Sequence, residues 1–107
     1  MNQVVGWTDS DGFLYKNGIF ETITFPGAQK TEAWGINDSG VIVGWYAIGN
    51  SVLGFTLANG QYTSIAFPGA VYTLPFGINA SGDIVGTYTI DYTTYHGFVA
   101  SPALGLQ

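Results

Sequence analysis

The chain repeats itself. Phe-Pro-Gly-Ala stands at residues 25–28 and again at 67–70, Gly-Ile-Asn at 35–37 and 77–79, Ile-Val-Gly at 42–44 and 84–86, and Asn-Gly at 17–18 and 59–60, each pair 42 residues apart. Aligned without a gap, residues 19–44 and 61–86 share 14 identities in 26 positions. A period of this length belongs to architectures in which one supersecondary unit buries its faces against copies of itself. A third, partial copy frames the other two. Val5-Gly6-Trp7 matches Val43-Gly44-Trp45 and Val85-Gly86-Thr87, and Gly12-Phe13 matches Gly54-Phe55 and Gly97-Phe98. The glycine-to-glycine spacing between these two elements is 6, 10 and 11 residues, which marks their connection as a surface loop.

Within one repeat the residues predict four short strands, at 19–25, 33–36, 41–46 and 54–57, with counterparts at 61–67, 73–78, 83–88 and 97–100. Val, Ile, Thr, Phe and Tyr fill them, as pleated packing favours. The Asn-Gly pairs supply hairpin turns, and Pro26 and Pro68 end their strands because proline cannot donate to a ladder. No window carries the 3.6-residue period of an amphipathic helix. In Val41-Ile42-Val43-Gly44-Trp45-Tyr46 both alternating sets are apolar, so both faces of that strand require cover. The expected fold is all-β: β-propeller-type blades of four antiparallel strands, with about two and a half repeats of 42 residues. On this reading residues 1–18 are an amino-terminal half-blade hairpin, 19–60 the first repeat, 61–101 the second and 102–107 a tail.

Composition narrows the function classes. Charged residues are only 8% of the 107, and seven acids against Lys16 and Lys30 give a net charge of −5, which argues against nucleic acid or anionic lipid as partner. Apolar runs are a few residues long, so neither membrane insertion nor a signal peptide is read in this chain. The absence of cysteine removes disulfides and thiolate chemistry and leaves the redox compartment open. Two and a half blades close no ring, and several hundred Å2 of wet apolar face costs roughly 10 kcal/mol. A homo-oligomer that completes the ring is therefore expected, with a cut piece of a longer array as the alternative.

The segments VVGW, GFLYKNGIFETITFPGA, AWGINDSGVIVGWY and HGF resemble the HAF-type extracellular repeats of bacterial secreted proteins, in motif order and over nearly the whole chain. The consensus of that family runs roughly HGFLY, a turn, TTIDVPGA, a variable segment and GINDSGQIVGYY. Phe25 and Phe67 here replace its Val, Ala80 its Asp and Leu53 its His. The resemblance implies an extracellular, β-propeller-like module and no catalytic residue. The run from His96 to Pro102 is similar to the end of such an array, whereas the start opens directly on the VVGW strand.

Candidate chemistry is sparse. His96 stands alone, and its counterparts Asp11 and Leu53 share none of its chemistry. Asp9-Ser10-Asp11-Gly12 resembles part of a calcium loop, but EF-hand spacing puts Trp7 at the first ligand and Gly18 at the twelfth, so no metal is expected. Asp38 and Asp83 lie beside equivalent turns, offset by three residues, and nothing sets two acids at a glycosidase separation. No cofactor motif is present. The aromatics remain, with two readings: core between blades, or rings that stack on sugars. The candidate binding residues are Trp7, Trp34, Asn37, Trp45, Tyr46, Phe76, Asn79 and Tyr88, with the polar Tyr92-Thr93-Thr94-Tyr95 segment beside them. The reading is a non-enzymatic, self-assembling repeat module that presents a binding or scaffold surface. A lectin with repeated glycan sites is the alternative, and a glycoside-processing enzyme the third.

Overall fold

Three turn devices, each written twice in the sequence, set the register of the strands. Asn17-Gly18 (φ 53° and 80°) and Asn59-Gly60 (φ 53° and 78°) make two-residue hairpins with both central residues at positive φ, the form whose twist matches paired strands. Phe-Pro-Gly-Ala closes a tight turn in each copy. The Ala28 N–H donates to the Phe25 carbonyl and the Ala70 N–H to the Phe67 carbonyl, both at 3.0 Å. Proline at the second position and glycine at positive φ at the third are what a type II turn demands. In the third device Asn37 Oδ1 accepts from the N–H groups of Ser39 (3.1 Å) and Val41 (2.9 Å), and Asn79 Oδ1 from those of Ser81 (3.0 Å) and Asp83 (2.9 Å).

A computed structural model describes residues 3–101 and the backbone of 105–106, so most of the expected 102–107 tail lies outside the described residues. The fold is all-β, with eleven strands and no helix among the described residues. The first antiparallel meander holds β1 (Gln3–Trp7), β2 (Gly12–Lys16) and β3 (Ile19–Ile23). The second holds β4 (Lys30–Ile36), β5 (Ile42–Ile48), β6 (Ser51–Ala58) and β7 (Gln61–Ile65). A third contains β8 (Tyr72–Ile78), β9 (Ile84–Thr89), β10 (His96–Ser101) and β11 (Gly105–Leu106). A single parallel pair, Val52 with Tyr72, joins the second meander to the third, and no sheet closes on itself among the described residues.

The sheets are out of phase with the sequence repeat. The strand that opens each repeat pairs backwards across its Asn-Gly hairpin, β3 with β2 and β7 with β6. The amino-terminal sheet therefore has three strands, not the two of the expected hairpin, and β3 leaves the sheet assigned to the first repeat. The second and third structural units instead begin at the Phe-Pro-Gly-Ala turn and run through an inner strand, β4 or β8.

Both inner strands are bulged at the same place, between Ala33 and Gly35 and between Pro75 and Gly77, which makes Trp34 and Phe76 the extra residues. Proline is tolerated inside β8 because it sits at that bulge. Opposite each bulge stands a glycine. A Cβ on Gly44 would run into the Glu32 carbonyl and lie 2.9 Å from the Ala33 Cα, and one on Gly86 would meet the Leu74 carbonyl and lie 2.7 Å from the Pro75 Cα.

The apolar core forms two layers between the three units. Ile23, Ala33, Ile42, Tyr46 and Phe55 fill the first, and Val43, Ile84 and Phe98 the second. Adjacent residues Ile42 and Val43 thus serve different layers, which is why β5 is apolar on both faces.

Candidate functional site

Four of the eight candidate residues come together as one aromatic cluster. Trp7, at the end of β1, stacks on Trp34 with centroids 4.2 Å apart and planes 25° off parallel. Trp45 lies 4.8 Å from Trp34, and Phe76 meets both Trp34 and Trp45 edge-on at 5.4 Å. The three units each contribute, and the bulges in β4 and β8 deliver Trp34 and Phe76. Trp7 (42%) and Phe76 (38%) remain exposed, so the cluster is a surface feature with a packed centre. Beneath it, Trp34 Nε1–H donates to Glu32 Oε1 at 3.0 Å, and Glu32 Oε2 is 3.2 Å from Lys30 Nζ. Glu32, buried and outside the candidate set, fixes the indole. An acid two residues before a tryptophan in a strand shares its face, which is the signal that could have found it.

The other four candidates serve the architecture. Tyr46 lies flat on Phe25 (3.7 Å, 3°) and Tyr88 on Phe67 (3.8 Å, 6°), between units. The Tyr46 hydroxyl is also 2.7 Å from Ser64 Oγ. Asn37 and Asn79 spend their side-chain carbonyls on their own turns. Asn37 Nδ2 also donates to the Asn79 carbonyl at 3.0 Å, stitching the second unit to the third across one period.

The isolated candidates stay apart. His96 is exposed and packs on Tyr88 at 5.2 Å. Asp11 Oδ1 accepts from the Thr24 hydroxyl at 2.9 Å, which ties the 9–12 loop to the strand end after β3. Among the described residues no three His, Asp or Glu side chains gather as a metal site. No helix among the described residues is long and apolar enough to cross a membrane. Asp91 is the one carboxyl with a large shift: the N–H groups of Thr94 and Thr93 and the Thr89 hydroxyl all donate to it and lower its pKa to about 2. That brace orders the 90–95 loop and turns Tyr92 against Tyr72 at 5.2 Å. Tyr72 and Tyr92 line an open groove of about 410 Å3 with Asn50 and Ser51.

Two outer faces carry the remaining apolar surface. On the third unit, Val85 (50%) is exposed although its counterpart Val43 is wholly buried, and Val99 beside it is exposed as well. On the first unit, Val4, Phe13, Tyr15 and Phe20 border an apolar groove of about 260 Å3. Sequence reasoning passed over these residues singly. No family model, curated protein or solved structure matches the chain.

Proposed function

We propose that the chain is a non-enzymatic repeat module of propeller-type blades that assembles end to end with further copies of itself. The observation that carries this reading is the contrast between equivalent positions. Val43, inside the stack, is fully buried by the third unit, while Val85 at the same place on the third unit is half exposed. The glycines agree with it. A Cβ on Gly12 would lie 3.1 Å from the Ala33 N, and one on Gly54 2.5 Å from Pro75 Cγ, so each glycine makes room for the following unit. Gly97 keeps the same residue type, yet a Cβ there would meet only the Gly86 carbonyl, at 3.9 Å. A second copy that presents Val4, Phe13 and Phe20 to Val85 and Val99 extends the internal junction by one more step. Such contacts are heterologous, so they close into a ring when the rotation per unit permits. The motif order shared with HAF-type repeats supports an extracellular setting.

Light scattering behind a sizing column tests the proposal. The expected result is a mass that is a sharp multiple of 11.4 kDa, returned to the monomer by Val85→Lys with the far-ultraviolet spectrum unchanged. A wild-type chain that stays monomeric at every concentration overturns it.

A lectin is the second reading, favoured by the half-exposed Trp7 face over a packed Trp34–Trp45 base, since a flat ring held rigid is what a sugar stacks on. In an assembly such shallow sites gain from multivalency. A glycan array that binds wild type and loses it with Trp7→Ala supports this reading, and an array with no bound glycan removes it.

A further inference from the structure

Among the described residues the first unit holds β1, β2 and β3 and no counterpart of the inner strands β4 and β8, and the residues along β1 specify what fits beside it. In the second and third units the inner strand pairs along the free side of β5 or β9. The same side of β1 is unpaired among the described residues, because β1 ends its sheet and bonds only to β2. Gly6 stands where Gly44 and Gly86 stand. At those two glycines the bulged backbone of the inner strand crosses directly over the Cα. At Gly6 the nearest atom to a Cβ would be Phe13 Cζ, at 2.7 Å, the end of a ring that can swing.

The groove beside β1 points to the same occupant. Its residues Val4, Phe13, Tyr15 and Phe20 correspond, 38 or 42 positions on, to Ile42, Phe55, Leu57 and Tyr62. In the second unit two of those four meet Phe25, which lies 6.2 Å from Phe55 and 5.4 Å edge-on from Tyr62, and all belong to the cluster it packs against. Phe25 belongs to the turn that leads into β4. One continuous segment thus provides both the ring for the groove and the strand for the edge.

We infer that the β1 edge and its groove form a strand-accepting site. Its ligand is an extended polypeptide of inner-strand type: Phe-Pro-Gly-Ala, a short spacer, then Thr, a small residue two further on, an aromatic at the bulge and Gly-Ile-Asn. The chain holds two such segments, at 25–37 and 67–79, both engaged in their own units. The phenylalanine fills the groove, and main-chain hydrogen bonds along β1 supply the rest, as in other edge-strand recognition. This inference rests on the equivalence of the three units and deepens the assembly reading, since the β1 edge lies at the junction where a second copy would dock.

The test is a labelled synthetic peptide with the sequence of residues 24–38, titrated into the whole protein and followed by anisotropy. Saturable binding is expected. It weakens about tenfold or more when the peptide carries Phe25→Ala, when its backbone is N-methylated along the edge facing β1, and when the protein carries Gly6→Val. The two peptide variants leave the fold of the protein untouched. Absence of saturable binding, or equal binding of all three peptides, overturns the inference. Mass is measured on the same samples. A monomer that binds the peptide sinks only the assembly reading, and an oligomer that ignores it sinks only this one.

Discussion

Gly44→Ala and Gly6→Ala are the same change at equivalent positions, and the structure assigns them different costs. A methyl group at Gly44 runs into the Glu32 carbonyl and the Ala33 Cα, both backbone atoms of β4. Backbone cannot swing aside, so β4 must separate from β5. Overpacking of this kind costs about 1–3 kcal/mol, and two lost ladder hydrogen bonds add about 1 kcal/mol each. The expected sum is about 3–5 kcal/mol. At Gly6 the obstacle is Phe13 Cζ, on a ring facing an open groove. Its rotation costs about 1 kcal/mol, offset by the ~0.5–1 kcal/mol gained when a strand glycine becomes alanine. Urea unfolding followed by tryptophan fluorescence separates the two. With a slope of about 1.5 kcal/mol per molar, Gly44→Ala moves the midpoint down by about 2–3 M and Gly6→Ala by less than about 0.7 M. Equal, large shifts would refute the reasoning, because they would mean that a strand already crosses Gly6 in the free protein.

Phe25→Ala removes the ring that Tyr46, Phe55 and Tyr62 share, and is expected to cost about 3–5 kcal/mol in the same assay. Tyr46→Phe keeps the stack, loses only the bond to Ser64, and costs about 1 kcal/mol. Glu32→Ala leaves the Trp34 indole N–H without its acceptor, and the expected readout is a shifted tryptophan emission together with a loss of about 1–3 kcal/mol. The Asp91 carboxyl, lowered to about 2 by the N–H groups of Thr94 and Thr93, holds its proton less tightly folded than unfolded. Its stabilising effect on the 90–95 loop is therefore complete above the unfolded value near 4 and lost as pH falls toward 2. A carboxyl titration by NMR that places Asp91 at the ordinary value would remove that brace from the account, and Asp91→Asn should abolish the pH dependence in this window.

The strands and turns were legible because the residues that make them have few alternatives. Asn-Gly admits one kind of hairpin turn, proline ends a strand, and a run such as Val41 to Tyr46, apolar on both alternations, has to lie between two layers. The phase of the repeat was not legible. A period fixes the length of a unit without saying where the unit begins, so the strand at 19–23 could pair forward or backward, and only the Asn17-Gly18 hairpin decides. The bulges were hidden for a related reason. One extra residue in β4 leaves Trp34 on the face of Glu32 and breaks the alternation from Gly35 onward, a break that no even spacing predicts. Trp45 and Tyr46 show the limit at the candidate site. They are adjacent aromatics on opposite faces, and the sequence alone does not tell which face is covered by Phe25 and which joins the tryptophans. Of the three glycines shared by all copies, Gly12 and Gly54 lie against the following unit and Gly97 does not, a difference that identical residues cannot announce.

The outer face of the third unit is satisfied in its polar part and exposed in its apolar part. Asn37 and Asn79 make the same turn, but only Asn37 has a following unit to receive its amide, on the Asn79 carbonyl. Asn79 instead donates to Asp83 Oδ2 at 3.2 Å, and Asp83 stands where the previous copy has Val41. That one substitution satisfies locally a donor that the repeat otherwise satisfies between units. Nothing comparable has happened below it: Val85 and Val99 keep the apolar character of an internal face. A partner docking there recovers apolar burial, yet finds the Asn79 amide already engaged. If copies associate as proposed, their junction is weaker than the junctions within the chain, by at least the stitching hydrogen bond it forgoes, about 1 kcal/mol. Dilution should accordingly separate the copies well before any single chain unfolds.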